Sequence, residues 1–454
     1  MTMDRRARLG AATSAAVGLG LAAPAAVAAH ALNATYESRL PLAVYLAGAA
    51  TTVALSFVFV IIRDVRAEPP VAGGPGTPPP AIIRHGLRAI GLIGWAWIIA
   101  QGIAGGSSDG NVATLFLWVY GWVGLAILSA VVGPVWHFLD PFSTIHDLGA
   151  PALRRIGIGG WDPAEYPEAL GRWPATIGFA IFVWLELVLF AGPSTLFVVV
   201  VGYTAFTLAM MAQFGRDEWR SRGEAFTVWF RLVGRLAPFA LAAEDGRIRR
   251  RPFGSGLLEP GWTWADVTVL GLAVGSILFD GLSQTVIFFD LFGAPDIPGK
   301  TVALFGFLGI VVGLAAAVAR TVGLAATGAG LLPIALGYLV AHYFTYLLID
   351  GQRILIAISD PLQRGWDLFG TAFHQPSGAF LPPGLVWTIQ LAAVVGGHML
   401  GAWGGHVVAA AEAPPHLNPN GLRLRQLPLA VVMVGLTTLT LWSLGQALVI
   451  APTS

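Results

Sequence analysis

Five side chains interrupt long apolar stretches of this chain, and their types are those that carry protons or bind metals. Glu186 breaks Phe182-Val183-Trp184-Leu185-Glu186-Leu187, and Asp280 sits in Leu278-Phe279-Asp280-Gly281, one helical turn before Gln284. His342 lies in Ala341-His342-Tyr343-Phe344, while His398 and His406 each follow a glycine. A charge near a bilayer centre costs about 2.5–3.5 kcal/mol on insertion scales, so each such residue is a functional candidate. At about 5.4 Å per helical turn, Glu186, His342, Asp280 and His398 come within reach of one another in the outer half of a bundle. His406 falls about 12 Å beyond His398 on a straight helix, too far to share one ion with it. Two imidazoles with two carboxylates suit zinc or another first-row divalent metal. The same set equally suits a proton relay.

A second candidate region is the loop 351–383, dense in Asp, Arg and His, with Arg353 and Arg364 available to steady an anion above the buried set. Asp360-Pro361 and Asp140-Pro141 have the form of helix caps, an acceptor followed by proline at the first helical position. His30 would become a mature N-terminal residue, offering an amine and an imidazole to a metal, if the chain were cut after Ala29. Gly397, Gly401 and Gly405 recur at four-residue spacing, the signature of close helix contact.

What must position these residues is a set of membrane helices. Of 454 residues, 56% are hydrophobic and 11% charged, less than half the charge of about 25% in an ordinary soluble domain. Mean hydropathy is +0.71. The chain contains no cysteine, which removes thiolate metal sites, iron–sulfur clusters and cysteine nucleophiles. A net charge of +1 gives no basis for a nucleic-acid partner. Gly299-Lys300-Thr301 is a chance match to a phosphate loop, because Ala294 stands where the leading glycine belongs and no strand precedes it.

The expected fold is all-α: a polytopic integral membrane bundle of about ten transmembrane helices after an N-terminal signal segment. Residues 1–29 read as a signal peptide, with Arg5, Arg6 and Arg8 before an apolar run that ends in Ala26-Val27-Ala28-Ala29; an uncleaved first helix is the alternative. Residues 30–454 form one membrane domain with helices at 40–62, 89–106, 111–132, 174–192, 194–214, 263–290, 301–319, 329–350, 384–410 and 427–449. With the mature N-terminus outside, the inner loops, chiefly 63–88, 133–173 and 215–262, hold 19 lysines and arginines, and the outer side four. That bias sets the orientation in a bacterial plasma membrane. Residues 67–80 read as an unpacked Pro/Gly linker. The stretch 224–238 reads as an amphipathic helix lying in the headgroups, and Arg247, Arg249, Arg250 and Arg251 as contacts to anionic lipid or topology signals.

Several blocks of the chain are similar to bacterial multi-pass proteins commonly labelled fenitrothion hydrolases. They are AAHAL (28–32), GPVWHFLDPF (133–142), VWLELV (183–188), GEAFTVWF (223–230), LFDGLS (278–283), VAHYF (340–344), SDPLQRGWDLFGTA (359–372) and GHMLGAWGGH (397–406). The label implies hydrolysis of an organophosphate triester. On that reading His342, His398, Asp280 and Glu186 serve as metal ligands or bases, a bound divalent metal activates water, and Arg353 or Arg364 steadies the anionic product. Two other readings stand beside it. One is a permease for a metal ion, a proton-coupled solute or a small hydrophobic compound, built on the same residues. The other is a non-catalytic subunit of a larger membrane complex. The oligomeric state is open.

Overall fold

The computed structural model describes residues 74–444, apart from 108–109, 157–161, 243–244 and 415–416, together with scattered positions between 47 and 58. The signal segment and His30 lie outside the described residues. The first expected span, 40–62, is described only at those scattered positions, each of them helical.

The described chain is mostly helical with almost no sheet, as its apolar runs require. Its long helices are α1 (Ala81–Ala104), α2 (Val112–Val131), α6 (Pro193–Phe214), α9 (Trp264–Ser283), α11 (Ile297–Val322), α12 (Leu324–Ile349), α14 (Pro383–Ala411) and α15 (Pro419–Leu444). Among the described residues, eight helices are long and apolar enough to cross a membrane. The remaining expected span is α5 (Trp173–Leu187), of 15 residues, about 22 Å long. It stops short because residues 188–192 form a corner in which Phe190 takes φ 46°, a left-handed conformation that costs a residue with a side chain about 1–3 kcal/mol. The helix expected over 263–290 also breaks: Thr285 caps a separate short helix, α10 (Val286–Phe292).

Between these lie α3 (Val135–Leu139), α4 (Pro141–Arg155), α7 (Arg216–Arg222), α8 (Ala225–Val233) and α13 (Ile354–Ser359). A two-stranded antiparallel hairpin, β1 (Phe239–Leu241) with β2 (Ile248–Arg250), pairs Ala240 with Arg249.

Most helix starts are written in the sequence. Thr263 and Asp266 form a reciprocal capping box on α9, and Asp296 caps α11 through Gly299 N–H. Asp140 accepts from Phe142 N–H at 2.8 Å and from the Ser143 hydroxyl at 2.5 Å, the cap that Asp140-Pro141 predicts. Asp360 departs from expectation. Its carboxylate takes the N–H groups of Arg364 and Gly365 at 2.7 Å each, which closes a turn and starts no helix.

Helix α9 is the centre of the packing, against α5, α11, α12 and α15. Helices α12 and α14 make the tightest pair because glycine faces backbone: a Cβ on Gly397 would stand 2.6 Å from Pro333 O, and one on Gly337 would stand 2.5 Å from Ala393 O. The four-residue glycine spacing is therefore a packing device.

The arginine-rich end corrects three expectations. Helix α8 does not lie on the surface; Trp229, Phe230 and Val233 are buried, with Trp229 5.4 Å from Trp122 and 5.2 Å from Phe179, ring centre to ring centre. Its polar residues, which suggested headgroup contact, satisfy internal groups instead. Glu224, fully buried, accepts from Thr227 N–H (2.7 Å) and the Tyr203 hydroxyl (2.7 Å). Arg249 and Arg251 are engaged within the protein, each meeting Glu259 at 2.8 Å. Nor is the Pro/Gly segment wholly unpacked: Thr77 exchanges two 2.9 Å backbone hydrogen bonds with Ile248 at the hairpin edge.

Candidate functional site

The end of α9 opposite the arginine-rich face carries Asp280, and three side chains hydrogen-bond to it. His342 Nε2 lies 3.0 Å from Oδ2, Tyr343 Oη donates to the same oxygen at 2.8 Å, and Gln284 Nε2 donates to Oδ1 at 2.8 Å. Helix periodicity builds this. Gln284 follows Asp280 by four residues and so lies over it. His342 and Tyr343, adjacent on α12, approach the carboxylate together with their rings edge to face at 4.5 Å. Gly281 faces His342 and Ser443 across this contact, and a Cβ there would make only ordinary contact with His342 Cε1 at 3.6 Å and Ser443 Oγ at 3.4 Å.

Glu186, in the last turn of α5, lies close enough to Asp280 and Tyr343 for their charges to interact. Its Oε2 is buried with no hydrogen-bond partner among the described residues, an arrangement that costs about 1–3 kcal/mol. The strained Phe190 corner follows directly, with Lys300 Nζ 4.0 Å from the Phe190 ring centre. Trp184 donates to Thr301 Oγ1 at 3.0 Å. The Lys300-Thr301 pair thus anchors α11 to the end of α5.

The other predicted residues lie elsewhere. His398 is fully buried one turn along the α12–α14 seam, with Nδ1 2.8 Å from Val394 O and Nε2 3.3 Å from Tyr338 Oη. Both of its ring nitrogens are thereby engaged. His406 Nδ1 meets Gln426 Oε1 at 2.8 Å, tying α14 to α15. Arg353 pairs with Asp350 at 3.2 Å, near Tyr346, which in turn lies near Glu186 and Asp280. Arg364 is exposed. The loop that carries it is pinned to α1: Trp97 Nε1 and Gln101 Nε2 both donate to Pro361 O, at 2.6 and 3.0 Å.

Of the four residues expected to hold a metal, Asp280 and His342 touch, Glu186 is close by, and His398 stands apart with its nitrogens occupied. Among the described residues, no group of three or more His, Asp or Glu side chains is placed to hold a metal ion. The donor set does not fit the three or four protein ligands that zinc takes.

A large apolar chamber adjoins the cluster. It is a partly open space of about 1030 Å³ between α1, α2, α5, α6 and α8, with Leu185 and Phe182 of α5, Gly121 and Gly124 of α2 and Leu347 of α12 in its walls. Leu185 is the neighbour of Glu186, and Trp122 of α2 packs against Tyr343 with ring centres 6.5 Å apart. Residues Leu115–Leu125 of α2, on the wall between chamber and cluster, are wound as a π-helix, a form that recurs at functional sites.

Two participants were hidden in the sequence. Tyr343 carried a faint signal, a hydroxyl beside His342 in an apolar run. The π-helix carried none, because its residues read as an ordinary apolar span.

Fold and cluster together define a polytopic helical membrane protein with a buried carboxylate–imidazole–phenol site beside an apolar chamber. No protein family, no curated protein and no solved structure matches the chain.

Proposed function

We propose that this protein is a proton-coupled permease for a small apolar solute in the bacterial plasma membrane. In this reading Asp280 and Glu186 exchange protons, the chamber receives the solute, and the loop 351–383 faces the outside. The observation that carries it is the Asp280 carboxylate, held by His342, Tyr343 and Gln284 with Glu186 close by. Intramembrane carboxylates and histidines in contact are the working parts of proton relays. An adjoining chamber with almost no polar wall suits a solute that enters without charge.

A test uses inverted membrane vesicles in which respiration builds a pH gradient reported by acridine orange. Small apolar amines, divalent metal ions and phosphotriesters are added in turn. One class should dissipate the gradient in vesicles carrying the wild-type protein, and not in those carrying Asp280→Asn. If no compound acts, or the variant responds as the wild type does, the permease reading fails.

The resemblance to proteins labelled fenitrothion hydrolases favours a second reading, because its blocks contain Glu186, Asp280 and His342. There the His342 imidazole, oriented by Asp280, would take a proton from water attacking phosphorus. Hydrolysis of a phosphotriester by purified protein, lost in His342→Gln, would select it over transport.

A further inference from the structure

The arginine-rich end encloses a second cavity, of about 770 Å³, whose character is opposite to that of the apolar chamber. Arg172, Arg222, Arg231, Arg235, Arg251 and His137 line it. Three carboxylates share the wall: Glu168, Glu259 and Asp266. Two of them are already committed, Asp266 to Arg172 at 2.6 Å and to the cap of α9, and Glu259 to Arg249 and Arg251. Five arginines thus share the lining with three carboxylates, which leaves positive charge in excess. Burial, and then the charges of Arg220, Arg231 and Arg216, hold the His137 imidazole down at about 2, while Arg220 is itself paired with Asp140 and Arg216 with Asp147 and Asp217. Arg222 is bonded to Glu218, but both side chains are well exposed, so that pair is weak.

The frame around these cations is rigid. Arg235 donates to Gly256 O (3.2 Å), Glu259 O (2.8 Å) and Pro260 O (3.0 Å), and its guanidinium sits 4.1 Å from the Trp262 ring centre. Arg251 donates to Ala237 O and Gly234 O. At the mouth, Trp173 and Trp264 are each about two-fifths exposed, as tryptophans at a membrane–water boundary commonly are. A cavity of this size, charge and depth matches a phosphate-bearing group, which guanidinium forks bind bidentately. Basic pockets at the ends of membrane helices hold such headgroups.

From this geometry we infer that the cavity is a binding site for a phosphate anion, supplied by the headgroup of an anionic phospholipid. The inference does not depend on the permease reading, because it uses none of the residues of the Asp280 cluster.

The test compares the full chain in nanodiscs of phosphatidylcholine with and without phosphatidylglycerol. A parallel arm adds inorganic phosphate or pyrophosphate to the lipid-neutral discs. Variants are Arg231→Gln and Arg222→Gln, with Arg250→Gln, an exposed arginine outside the cavity, as control. Phosphatidylglycerol should raise Tm and survive native mass spectrometry on wild type and Arg250→Gln. Its apparent affinity should fall about tenfold in each cavity variant, the worth of one charged hydrogen bond. The same pattern with phosphate or pyrophosphate alone would keep the site and assign it to a soluble anion. No stabilisation by any of the three, or equal stabilisation in all variants, would overturn the proposal. Should Arg231→Gln fail to fold by circular dichroism, Arg222→Gln, at an exposed position, decides.

Discussion

Asp280 takes its hydrogen bonds from three side chains on two helices, so the donors can be removed one at a time. Tyr343→Phe deletes the 2.8 Å bond to Asp280 together with the hydroxyl's contact with Trp122. It should lower stability by about 0.5–1.5 kcal/mol, measured as the Tm of detergent-solubilised protein, while blunting any proton-coupled signal. At the opposite end, His137 gives a pH prediction. Burial, and then the charges of Arg220, Arg231, Arg216 and Arg88, lower its pKa from 6.5 to about 2. Below pH 6.5 the unfolded chain binds a proton that the folded chain refuses, so stability falls as pH drops through the window between those values. Asp147 adds to the loss. Although partial burial raises it, its bonds to Arg88 and Arg216 leave its pKa below the usual carboxylate value, and that stabilisation also disappears in acid. His137→Gln should flatten the Tm–pH curve between pH 6.5 and 4, by up to about 1.4 kcal/mol for each pH unit. A variant curve parallel to wild type would show that His137 titrates normally.

At the scale of elements, the glycine seam and the buried α8 make separate claims. Gly396 and Gly397 are neighbours on α14, yet a Cβ on Gly396 meets nothing within 4 Å, while one on Gly397 meets Pro333 O at 2.6 Å. Gly397→Ala should destabilise by about 1–3 kcal/mol through overpacking, and Gly396→Ala should be neutral or slightly stabilising. Equal Tm values for the two variants would contradict the α12–α14 seam. Trp229→Ala should cost about 3–5 kcal/mol as a core truncation, whereas a helix lying in the headgroups would tolerate it. The two cases differ in how legible they were. Glycine spacing reports contact directly, since only a missing side chain lets backbones approach so closely. The pattern of α8 did not identify its surroundings, because an apolar face with one cap carboxylate looks the same against lipid as against Trp122 and Phe179. What separates them is Tyr203, which meets Glu224 from 21 positions away. No local pattern predicts that meeting. The candidate site divides in the same way: Asp280, His342 and Gln284 were visible as polar breaks in apolar runs, but their convergence, and the separation of His398 from them, depend on which helices touch.

For the whole molecule, orientation has the most consequence, because it decides whether the Asp280 cluster meets the high-proton side first. The chain places its two polar clusters at opposite ends: the carboxylate cluster with the loop 351–383 at one, and the arginine cavity, hairpin and α8 at the other. Nineteen basic residues against four argue that the arginine end is cytoplasmic, since positive loops resist translocation. The sequence itself supplies a clean test, for it contains no cysteine and needs no background removed. Single cysteines at Ser377, in the exposed part of the long loop, and at Arg250, on the hairpin, are accessible positions. In intact spheroplasts a membrane-impermeant maleimide should label Ser377→Cys and leave Arg250→Cys unlabelled until the membrane is opened. Reversed labelling would invert the molecule and place the arginine cavity in the outer leaflet. The proton-coupled reading would then require Glu186 and Asp280 to load from the cytoplasm.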